Sequence, residues 1–101
     1  MRRTDDVELV VAAYLAAEHV PLSAEERNAA VRRALLVHAA GGDVHRDPGL
    51  ADPAVVTIAR DLDTPERRTA LLAALPPQLR GDGERAWRAF ACALLADELA
   101  E

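Results

Sequence analysis

From Leu9 to Ala17 the chain reads Leu-Val-Val-Ala-Ala-Tyr-Leu-Ala-Ala, a run whose only polar group is the tyrosine hydroxyl. Wound as a helix, this run is apolar on every face. That is the pattern of a helix buried all round, either centrally in its own fold or against a partner. Asp5, Asp6 and Glu8 put negative charge on the first turn, where the positive end of the helix dipole favours it. Pro21 follows, so the first helix is predicted over residues 5–19.

Later elements carry sharper punctuation. Ser23-Ala24-Glu25-Glu26 is a capping box, with Ser23 as N-cap and Glu26 three residues on. Val31, Ala34, Leu35 and His38 then follow the i, i+3, i+4, i+7 rule, while Arg32 and Arg33 fall off that stripe. Gly41-Gly42 is read as a left-handed C-cap, giving a second helix over 24–40. Asp52-Pro53 and Thr64-Pro65 each pair an N-cap with a proline at the first helical position. They open a third helix over 53–61, with Val55, Ile58, Ala59 and Leu62 as its core stripe, and a fourth over 65–75 carrying Leu71, Leu72 and Leu75. Pro76-Pro77 stops the fourth, Leu79 packs under a short turn ending at Gly81, and Asp82 opens a fifth. That last helix, 83–99, buries Trp87, Phe90, Ala91 and Leu94. No segment alternates β-branched and polar residues between turn signals, so no sheet is expected.

Composition agrees with this pattern. Of 101 residues, 22 are alanine and all 12 basic residues are arginine, two of the better helix formers. Alanine adds little apolar area but lets helix axes approach closely. The fold class is therefore all-α, one compact bundle of about five helices over residues 1–101, with a thin core. The segment from Leu22 to Leu35 resembles that from Leu62 to Leu75 in spacing, but the flanks do not align, as two capped, alanine-rich helices would do by chance.

Charge and cysteine usage narrow the function classes. A formal net charge of −5 argues against a nucleic-acid partner and against attraction to anionic membranes. One cysteine, Cys92, makes an internal disulfide impossible. The first residues turn acidic before any apolar stretch, unlike a signal peptide, and the longest apolar run is about half a bilayer span. A soluble, cytoplasmic protein is expected.

Candidate chemistry is sparse. In the 41–52 loop, Asp43, His45 and Asp47 alternate like the first ligands of a calcium-binding loop. Pro48 then stands where glycine is needed and Ala54 where the bidentate glutamate belongs. A histidine in the set suits a transition metal better; the competing reading is a polar loop whose Asp52 caps the next helix. His19 suits a helix C-terminus, and His38 lies on an apolar stripe where one hydrogen bond would hold it; only the fold could bring them and His45 together. Cys92 is mid-helix among small apolar residues, a core position. Arginines near Trp87 could grip a phosphate, yet Glu84 precedes Arg88, and Asp63 precedes Arg67, by four residues, the spacing of ordinary surface pairs. Arg80-Gly81-Asp82 reads as a turn followed by an N-cap. Arg2 and Arg3 precede a helix start, and Asp97, Glu98 and Glu101 crowd a helix end; both oppose the dipole, which frayed ends would tolerate, or else the acidic tail meets arginines from elsewhere in the fold or from a second chain.

No nucleophile elbow, phosphate-binding glycine loop or zinc-ligand spacing is present, and no cofactor is expected. The leading reading is a non-enzymatic protein–protein interaction module, a homodimer formed through the first or fifth helix. The alternative is a small-ligand or metal-binding protein using the 41–52 loop or a pocket near Trp87.

Overall fold

The computed structural model describes residues 2–41 and 49–100. Within them lie five α-helices: α1 (Arg2–Ala16), α2 (Ala24–Ala40), α3 (Pro53–Asp61), α4 (Pro65–Ala74) and α5 (Gly83–Leu99). Two short 3₁₀ turns, Ala17–His19 and Pro77–Leu79, complete the elements, and no strand occurs among the described residues.

The punctuation read from the sequence does its work at four helix starts. Ser23 Oγ accepts from the Glu26 N–H at 3.0 Å while Glu26 Oε1 accepts from the Ser23 N–H at 3.2 Å, the full capping box. Asp52, Thr64 and Asp82 each accept from a backbone N–H of the following turn. Leu75 leaves the helical region because a residue before proline is pushed to extended backbone, so α4 ends at Ala74. Arg80 then folds back, its guanidinium donating to the carbonyls of Leu75 at 2.9 Å and Ala73 at 3.2 Å. A fixed positive charge thus satisfies the C-terminal carbonyls of α4.

Two helix ends depart from expectation. The first helix does not run to His19; its last residues tighten into the 3₁₀ turn closed by Val20 N–H to the Ala17 carbonyl at 3.0 Å. Gly41 is right-handed, with φ −76° and ψ −11°, not left-handed. Its N–H still bonds the carbonyls of Val37 and His38, so the C-cap closes on the helix without a positive φ.

The central element is α5, not α1. Helices α1, α3 and α4 all pack on it, and α2 lies chiefly on α3. Every residue of α5 from Ala89 to Leu95 is buried, together with Ala86 and Trp87. This explains the alanine content. A helix packed on several sides needs small residues at Ala86, Ala89, Ala91 and Ala93 to let its neighbours approach. Trp87, Phe90, Ile58, Leu62, Leu71 and Leu75 fill the space between, with the Trp87 and Phe90 rings 4.9 Å apart. The whole is 22 Å thick in its shortest direction, about two helix layers.

Candidate functional site

The first helix lies on the outside of this bundle. Leu9, Ala13 and Ala16 face α5 and are buried. The opposite side of the same helix carries Val7, Val11, Tyr14 and Leu15, exposed by 58%, 55%, 55% and 68%. At about 100° per residue these four centre on the direction diametrically away from Leu9 and Ala13. The run that is apolar all round is therefore half used by its own fold. The spacing i, i+4, i+7, i+8 is that of a helix face made to pack.

No other helix offers such a face among the described residues. The fifth helix, which the sequence left as an alternative self-association surface, spends its apolar side chains inside the core. The remaining strongly exposed hydrophobic is Leu36 on α2, with exposed Arg32 and Arg33 one turn away. A single exposed leucine between charges is ordinary protein surface; four on one stripe are not.

A groove of about 560 Å³ continues this stripe at the C-terminal end of α1. Tyr14 and Leu15 form one wall and Phe90, Ala93 and Leu94 lie at its base. Its polar rim is Arg27, which pairs with Asp97 at 3.2 Å and Glu98 at 3.6 Å. The acidic end of α5 thus meets an arginine of its own chain.

Arg67, Arg68, Arg85 and Arg88 are also engaged. Arg67 does not pair with Asp63. It reaches across to Glu26 at 2.6 Å and donates to the carbonyls of Pro21 and Leu62. Its guanidinium, followed by the Ser23 N–H, holds the Glu26 carboxyl below its ordinary value of 4.5. Asp63 instead takes a two-pronged contact from Arg68 at 2.7 and 2.9 Å, which raises the Arg68 pKa. Arg68 also binds Glu84, which binds Arg88 at the predicted i, i+4 spacing. Arg85 pairs with Asp6. A second groove of about 490 Å³ beside Arg85 and Arg88 is therefore lined by guanidinium groups already held by carboxylates.

Trp87 takes no part in that groove: it is fully buried, and its indole N–H donates to the Ala59 carbonyl at 2.8 Å. The proposed ligands Asp43, His45 and Asp47 lie outside the described residues. Within those residues no three histidine, cysteine or acidic side chains converge as a metal site. His19 stands 3.8 Å from Glu18 on the surface, and His38 is buried 3.9 Å from Asp52 with its Nε2 unbonded. Among the described residues the one hydrogen bond expected for His38 is not formed: at 3.9 Å the Asp52 contact is too long. Cys92 is buried in the core, as its neighbours in sequence imply.

Among the described residues no helix is long and apolar enough to cross a membrane. Comparison of the chain with protein-family models, curated proteins and solved structures gives no match.

Proposed function

We propose that this chain is a helical protein–protein interaction module that self-associates, with the outer face of α1 as its docking surface. One observation carries the reading: Val7, Val11, Tyr14 and Leu15 form a continuous apolar stripe opposite the face that α1 packs on its own core. Covering a valine or leucine side chain is worth about 1.5–3 kcal/mol, so such a stripe is a strong incentive to associate. The groove at Tyr14 and Leu15 widens the surface toward α5. The pairing of Arg67, Arg68, Arg85 and Arg88 favours this reading over an anion site there, since a ligand phosphate would have to displace a carboxylate at each of the four.

The test places one charge on the stripe. Val11→Asp and Leu15→Asp are read by sedimentation velocity, with circular dichroism and Trp87 emission as checks of the fold. Both variants are expected to stay folded and to sediment as monomers at concentrations where the unaltered chain associates. Association of both variants at unaltered strength would refute the role of α1.

A further inference from the structure

Among the described side chains, Arg32 is the one arginine without an acceptor. Arg80 donates to two carbonyls, and the others meet carboxylates of their own chain. Arg32 stands exposed on α2, with exposed Leu36 one turn on and exposed Ala39 and Ala40 beyond it. Leu36 alone is ordinary surface. Its neighbours set it apart: a free guanidinium on one side, and on the other small residues that let a second helix approach closely.

The outer face of α1 carries the complementary series. Past Val11 and Tyr14 the row reaches Glu18 in the 3₁₀ turn, 80% exposed in its side chain. Among the described residues its cationic neighbour is His19, 3.8 Å away. Along α1 the order is small apolar, large apolar, acid; along α2 it is base, large apolar, small apolar.

We infer that α1 of one copy docks antiparallel on α2 of a second copy, with Glu18 against Arg32, Tyr14 against Leu36 and Val11 against Ala39. The inference rests on α1's outer face being the docking surface, and adds to it what covers that face. All three pairings share one register: the steps from Glu18 back to Tyr14 and Val11 equal those from Arg32 on to Leu36 and Ala39. Parallel pairing that keeps Tyr14 on Leu36 sets Arg32 against Val10 and Glu18 against Ala40, leaving both charges unmatched. A second α1 as occupant offers Glu18 no guanidinium among the described side chains.

Helix axes about 8–10 Å apart, with Cα atoms about 2.3 Å off each axis, leave facing Cα atoms roughly 3.5–5.5 Å apart. That overlaps the span of a disulfide, so Val11 and Ala39 of the two copies come within bridging distance. Made twice about a twofold axis, the contact closes at two copies. Short helix pairs lie at the small end of specific interfaces, so a dissociation constant on the order of 10 μM is expected.

Two measurements decide it on the full chain. In mild oxidant, Val11→Cys mixed with Ala39→Cys is expected to give a disulfide-linked dimer, and either variant alone very little. The unaltered chain, whose Cys92 is buried, is the blank. By sedimentation equilibrium, Leu36→Asp should weaken association more than tenfold while circular dichroism stays unchanged, because Leu36 is 70% exposed. Arg32→Glu or Glu18→Arg alone should weaken it about fivefold, and the double variant should restore it. Efficient linking of Val11→Cys to itself, or failure of the double variant to recover, overturns the pairing with α2. If Val11→Asp dissociates the chain and Leu36→Asp does not, the pairing with α2 fails while the docking face itself stands. An unaltered chain that is monomeric throughout overturns both.

Discussion

Trp87 on α5 donates its indole N–H to the Ala59 carbonyl at 2.8 Å, and that carbonyl is one that the end of α3 leaves without a helical donor. The amide that would serve it, Asp63 N–H, bonds Arg60 instead. The largest side chain of the core thus closes a helix terminus as well as filling space. Trp87→Phe removes both contributions. It is expected to cost about 2–4 kcal/mol in urea denaturation. A loss below about 1 kcal/mol would show that the Ala59 carbonyl is satisfied by other means.

Close approach of α1 and α5 depends on alanine. Ala13 is fully buried on the side of α1 that faces α5. Ala13→Leu should lower stability by about 1–3 kcal/mol through overpacking. Val11→Leu, two residues away on the outer face, should leave the monomer within about 0.5 kcal/mol. Equal effects at the two positions would contradict the two-sided description of this helix.

The Glu26–Arg67 contact joins the start of α2 to α4 and gives the fold an acid-sensitive link. Because the Glu26 carboxyl is held below its ordinary value of 4.5, its contribution is complete above that pH. The contribution disappears as pH falls through the lowered folded-state value. Glu26→Gln should therefore narrow the stability gap between pH 7 and pH 3 and change little between pH 6 and pH 8 (chemical denaturation at each pH reads it). An unchanged acid limb would rule out this link. The effect is small, since the pair is solvent-facing on the Glu26 side.

His38 is buried with one ring nitrogen unbonded and the other 3.9 Å from Asp52, too long for a hydrogen bond. Replacing it with an adaptable apolar side chain removes a desolvated polar atom at little cost in contacts. His38→Met should change the unfolding free energy by less than about 1 kcal/mol at neutral pH. A loss above about 2 kcal/mol would mean that the imidazole is hydrogen-bonded in solution.

Helix positions were legible because their signals are local. Ser23 with Glu26, Asp52-Pro53, Thr64-Pro65 and Asp82 each act within one turn, and the structure places a helix start at every one. The layout of α1 was not legible, for the opposite reason. With Val7, Leu9, Val10, Val11 and Leu15 apolar alike, periodicity has no contrast from which to tell the inner face from the outer. Long-range ion pairs were equally hidden: Arg67 has Asp63 four residues away but finds Glu26 across the fold, where two carbonyls also await it. The candidate site itself was half visible. A helix apolar all round pointed to a buried element, and only the surrounding of α5 by the other helices showed that α1 has a free side.

The most direct test of the central claim is the mass of the unaltered chain in solution. Sedimentation equilibrium over roughly 1–100 μM brackets the expected affinity of one helix pair. The weight-average mass should climb from 10.9 kDa toward twice that value as concentration rises. A constant 10.9 kDa across the whole range would contradict self-association through α1.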